Sequence, residues 1–159
     1  MIAIVRQMVV VTAVDRTGPT FALHEIVPVL GLNFITADIA ADSLPGGGVE
    51  DGEDVLTALH REVYEETGCV CDEIKELGIV AENRASLDYT QINYYYVVTT
   101  THQPGENHLT ESEQASQTVV QWHAMDEMVR LINEQEFDRI QGKYLKARDV
   151  AALKEYATW

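Results

Sequence analysis

Between Gly47 and Cys69 the chain reads GGVEDGEDVLTALHREVYEETGC and carries seven carboxylates. Three of them, Glu62, Glu65 and Glu66, are spaced i, i+3, i+4, which places them on one side of a helix. On a wheel of about 100° per residue with Glu62 at zero, Glu66 falls near +40° and Glu65 near −60°. Val55, Leu56, Leu59 and Val63 fall at roughly +20° to +120° on the same wheel. Glu66 therefore points the way Leu59 and Val55 point. A solvated acidic face would lie on the opposite side, around Thr57, His60 and Tyr64. Acids in a last helical turn oppose the dipole at about 0.3–1 kcal/mol each, and they also repel one another. Converging hard oxygens that accept this cost suit Mg²⁺, Mn²⁺ or Ca²⁺ better than zinc.

The elements that must hold these groups are legible around them. Asp51 to Thr67 reads as one amphipathic helix. Asp51 or Gly52 is its cap, Glu53 and Asp54 suit its positive end, and Gly68 is a left-handed stop. Pro45-Gly46-Gly47-Gly48 before it reads as a break with unusual backbone freedom. Upstream, MVVVTAV (8–14) reads as a core strand closed by a DRTG turn, and TFALHEIV as a second strand stopped at Pro28. Residues 28–44 show no clear pattern.

Downstream, CVCDEIKELGIVAE and QINYYYVVTT read as strands, HQPGENHLTESEQASQ as a polar loop, and TVVQWHAM as a further strand. DEMVRLINEQ and RDVAALKEYATW read as helices with Asp126 and Asp149 near their starts. The order predicts an α/β protein, a mixed sheet with helices on its faces. Tyr94, Tyr95 and Tyr96 alternate across their strand, which suits core packing first and base stacking second.

At 159 residues, 46% hydrophobic and 23% charged, the chain is expected to form a single soluble domain over 1–159. A formal charge of −15, from 26 acidic against 11 basic residues, argues against a nucleic-acid backbone or an anionic membrane as partner. An anionic substrate would then need a cation the chain does not encode. No run approaches the roughly 18 apolar residues of a membrane helix, and the N-terminus shows no clear signal-cleavage pattern. A cytoplasmic setting is the expectation. Cys69 and Cys71 are too few for a disulfide framework and read as apolar residues on one side of a strand. The five histidines stand in no HExxH or triad-like context.

Gly47, Glu53 six residues on, and then Arg61-Glu62-Val63-Tyr64-Glu65-Glu66-Thr67-Gly68-Cys69 match the pattern G-x5-E-x7-R-E-U-x-E-E-x-G-U, where U is a bulky aliphatic. The stretch thereby resembles the Nudix family, with Cys69 at the last aliphatic position as its one soft departure. The resemblance implies an α/β/α sandwich that hydrolyses a nucleoside diphosphate linked to another moiety X, using water and Mg²⁺ or Mn²⁺. On that model Glu65 and Glu66 ligate the metal, and Glu62 joins them or activates the water. Arg61 orients Glu62, Glu53 pairs with Arg61, and Gly47 offers its carbonyl and room for close approach. Glu111 and Glu113 are candidates for a further loop acid that the family often uses, and a homodimer is common in it. Arg6 and Arg84 are weighed as phosphate holders against plain surface charge.

Signals outside the box narrow the substrate by what they lack. No proline lies between Val70 and Gln103, where ADP-ribose hydrolases commonly carry one. The NADH-type and coenzyme A-type motifs are missing, and Tyr89 lies close to, but not at, the tyrosine of dinucleoside polyphosphate hydrolases. Relatives usually place an aromatic just before LPGG, and none is evident here ahead of Leu44, which opens that stretch. The expectation is a nucleoside triphosphate, then ADP-ribose or a nucleoside diphosphate sugar. A non-catalytic nucleotide-sensing module is the alternative of another class.

Overall fold

The structure, a computed structural model, describes residues 6–16, 32–35, 44–84, 89–100, 106, 108–115, 119–123 and 125–158. The strand read at TFALHEIV, the segment before Leu44 apart from 32–35, and the side chains of Arg6, Arg84, Tyr89 and Glu113 lie outside them. Among the described residues no helix is long and apolar enough to cross a membrane.

Strand β1 (Arg6–Arg16) is the β-branched run read from the sequence, and it sits inside a four-stranded sheet. It pairs antiparallel with β5 (Tyr89–Thr100) and parallel with β3 (Gly46–Gly48). Strand β4 (Glu73–Arg84) pairs antiparallel with the far side of β5, giving the order β3-β1-β5-β4. A second sheet pairs β2 (Leu32–Ile35) with β6 (Val119–Trp122) antiparallel. The sheet is mixed, as read.

Alternation along β5 divides the core into two layers. Tyr95 and Val97 pack with Leu44, Leu77, Met128, Ile132, Ala152 and Leu153. Those partners bring in helices α3 (Met125–Glu134) and α4 (Ile140–Tyr156). Tyr96 and Val98 face the other way, against Leu59, Val63 and Cys69, with Tyr94 at the margin. This second layer belongs to α1 (Val55–Thr67). Helices thus cover both faces of the sheet, and the tyrosine triplet serves packing in both layers.

A bulge keeps β4 in step with this division. Glu76 is opposite Tyr96 but Gly78 is opposite Tyr95, so Leu77 is the extra residue. Gly78 has φ 136°. Leu77 and Val80, three apart, consequently join the same α3/α4 layer.

Several sequence expectations are corrected. The Pro-Gly-Gly-Gly break is a short parallel strand, because three residues without side chains fit closely beside both β1 and α1. The polar loop holds a short helix, α2 (Glu111–Ala115). Cys69 and Cys71 precede β4 rather than lying in it, although both turn toward the α1 layer. Burial pushes the Cys71 thiol up to about 11. Asp149 lies well inside α4, not near its start.

Candidate active site

Helix α1 begins one turn later than the sequence suggests. Asp54, not Asp51 or Gly52, caps it: Asp54 Oδ1 accepts from the Thr57 amide at 2.7 Å. That bond also holds the Asp54 carboxyl below the usual carboxylate range. Glu53 stands just ahead of the cap, and its side chain turns toward Arg61. At the other end Gly68 adopts φ 66° and donates its amide to the Tyr64 carbonyl at 2.8 Å, the expected left-handed stop.

The wheel places the carboxylates well. Glu62 is 6% exposed and Glu66 2%, whereas Thr57, His60 and Tyr64 are exposed. Leu56 is the miss: it is 49% exposed, because the stripe that packs is the narrower one of Val55, Leu59 and Val63. Glu65 is half-buried at the rim.

Arg61 gathers the acids. Its Nε and Nη2 donate to the two oxygens of Glu53, both at 2.9 Å, a bidentate fork. Its Nη1 donates to Glu62 Oε1 at 2.7 Å and to Glu65 Oε2 at 3.3 Å. The Glu53 bond above all, and then the Glu62 bond, leave the guanidinium bound to its proton more firmly than usual, outweighing the opposing effect of burial. Arg61 in turn holds Glu53 below the usual carboxylate range.

The close approach of Gly47 is the expected one, but it comes from a strand, β3, whose alignment along this helix sequence reading missed. Gly46 donates its amide to Glu66 Oε1 at 3.4 Å. Gly47 lies against Glu62: a Cβ there would stand 2.6 Å from Cδ and 2.8 Å from Oε2. Gly48 gives its carbonyl to Arg61 Nη2 at 2.9 Å. Three successive glycines thus meet Glu66, Glu62 and Arg61 in turn. The signal available in the sequence was the run of glycines itself, which permits close approach but does not announce a strand.

A loop closes over the end of α1. His108 donates its amide to the Glu65 carbonyl, and its ring stacks on Tyr64 with centroids 5.3 Å apart. This anchor brings the chain at Glu111 to within three residues of the site. Glu111 itself is exposed, and the side chain of Glu113 lies outside the described residues.

Among the described residues no three acidic, His or Cys side chains stand ready as a metal cage. Glu62 and Glu65 instead share Arg61. The donor set nevertheless suits a hard divalent cation. Four carboxylates against one guanidinium leave a formal excess of three negative charges, and the bare backbone of Gly47 lies directly against the Glu62 carboxylate.

A sequence model described as NUDIX domain matches residues 29–146, well over half of the chain and all of the site described above. The chain belongs to the Nudix family, whose enzymes generally use divalent metal ions. It is also similar to the RNA pyrophosphohydrolase of Dinoroseobacter shibae, at 44% identity over 42 residues. That similarity covers 26% of this chain and 26% of the relative, so it spans about a quarter of either protein.

Proposed function

We propose that the chain hydrolyses a phosphoanhydride bond of a nucleoside diphosphate linked to X, with a nucleoside triphosphate as substrate and Mg²⁺ as metal, replaceable by Mn²⁺. The observation that carries this reading is the Arg61-centred acid cluster laid along Gly46–Gly48. Glu62, Glu65, Glu66 and the Gly47 carbonyl would hold the metal. Bound there, it would neutralise phosphate charge and lower the pKa of water.

The chain's own groups do the rest. Glu53 fixes the Arg61 fork, and Arg61 fixes Oε1 of Glu62. Glu62 takes the proton of the attacking water on its carboxylate as the water oxygen bonds to phosphorus. The bridging P–O bond breaks, and its electron pair leaves with the departing phosphate or pyrophosphate. The buried position of Glu62 limits its competing contact with bulk water.

The D. shibae relative favours one second reading, an RNA carrying the phosphoanhydride at the same site. The net charge of −15 weighs for the smaller substrate. ADP-ribose and nucleoside diphosphate sugars share the scissile bond. A panel of nucleoside triphosphates, ADP-ribose, nucleotide sugars and a triphosphate-ended oligoribonucleotide, with Mg²⁺ or Mn²⁺, separates these cases. Glu65→Gln and Glu66→Gln should each abolish metal-dependent release of phosphate or pyrophosphate while leaving the circular dichroism spectrum unchanged. Tight binding of one nucleotide by the wild type, with no release across the panel, would make the protein a sensor and end the hydrolase reading.

A further inference from the structure

Asp149 is a carboxylate placed in α4, in the layer on the far side of the sheet from α1. It is 1% exposed. Its Oδ1 accepts from the Tyr95 hydroxyl at 3.0 Å and from Arg148 Nε at 2.9 Å. Its Oδ2 accepts from the backbone amide of Leu44 at 3.0 Å, across 105 residues of sequence. Leu44 is itself buried in the α3/α4 layer.

A buried carboxylate is an expensive way to satisfy one tyrosine hydroxyl, because its desolvation must be offset by several donors. The third donor is the informative one. Leu44 is separated from Gly46 only by Pro45, whose ring fixes one of the few backbone torsions between them. An anchor at Leu44 is therefore passed on to the strand that follows. There Gly46, Gly47 and Gly48 meet Glu66, Glu62 and Arg61. Glycine has no side chain with which to fix its own position, so β3 is held by its backbone pairing with β1 and by what anchors its ends.

We infer that Asp149 is a positioning residue for the active site. By holding the Leu44 amide it sets how Gly46–Gly48 lies along α1, and so where the Gly47 carbonyl and the Glu62 carboxylate stand. This rests on the hydrolase reading, and the metal would sit at the far end of the chain of contacts, not at Asp149.

The experiment compares Asp149→Ala, Asp149→Asn and Tyr95→Phe with the wild type. Hydrogen exchange over 44–48, Mn²⁺ titration without substrate, steady-state kinetics and thermal melting are measured for each. Asp149→Ala should speed exchange over 44–48 by about tenfold or more relative to α1, since the tether is local. It should weaken Mn²⁺ binding and lower kcat by about tenfold or more, with KM within about threefold. Asp149→Asn keeps one acceptor and should fall between Asp149→Ala and the wild type. Tyr95→Phe removes one bond to the same carboxylate without touching Leu44. It should lower the melting temperature while leaving exchange over 44–48 and kcat within about twofold of the wild type.

If Asp149→Ala does not fold, Asp149→Asn against Tyr95→Phe decides. Asp149 variants that lose melting temperature as Tyr95→Phe does, yet keep wild-type exchange, Mn²⁺ affinity and kcat, overturn the inference alone. A wild type that neither binds Mn²⁺ nor turns over overturns it together with the hydrolase reading.

Discussion

Gly47 matters for the side chain it lacks. Any Cβ at that position would enter the space of the Glu62 carboxylate, whose Oε1 also accepts from Arg61. Gly47→Ala should therefore displace Glu62 rather than unfold the chain. We expect kcat to fall by about 10–100-fold with KM little changed, since a small misplacement of a reacting group is costly. An alanine variant with wild-type kcat would mean that Glu62 can move without consequence. The acidic residues themselves were readable because helical periodicity is strict: i, i+3, i+4 put Glu62 and Glu66 with Leu59, and both are buried. What the wheel does not contain is the partner. Arg61 stands next to Glu62 in sequence, and only the rotamers bring it to Glu53, Glu62, Glu65 and Gly48 together.

At the scale of elements, α1 ends where it does because Gly68 can take φ 66°. Gly68→Ala should lower stability by about 1 kcal/mol, as expected for a side chain forced into the left-handed region. Urea denaturation measures it, and an unchanged midpoint would show that the stop is set elsewhere. Helix α1, β1, β4 and β5 were legible because β-branched runs and amphipathic spacing are local signals. Strand β3 was not, since three glycines carry no alternation. The first half of α4 was missed for a related reason: Gly142 weakens helical propensity there. Tertiary packing explains the tolerance, since a Cβ on Gly142 would collide with the Phe137 ring. Asp149 read as a helix-start acid only because that first half was missing. The Leu44 tether pairs residues 105 apart, a distance over which periodicity is silent.

For the whole molecule, a formal charge of −15 means that folding concentrates like charge. Salt should relieve this even when metal is removed. With EDTA present, the melting temperature should rise by several degrees between about 0.05 and 0.5 M NaCl as the Debye length shortens. A flat profile would show that the charges are already balanced locally, as Arg130 does for Glu127 and Glu134 on α3. The two-layer core sets a different constraint, and it falls on β4. Strand β4 changes phase at Leu77, so residues before and after that point count their faces from different origins. Losing Leu77 itself would leave Glu76 opposite Tyr96 and Gly78 opposite Tyr95 in unbroken alternation, so Ile79 and Val80 would keep their faces and only the α3/α4 layer would lose a side chain. Leu77 is thus the one residue here without a partner of its own on β5: the bulge lodges an additional side chain in the α3/α4 layer without disturbing the alternation around it.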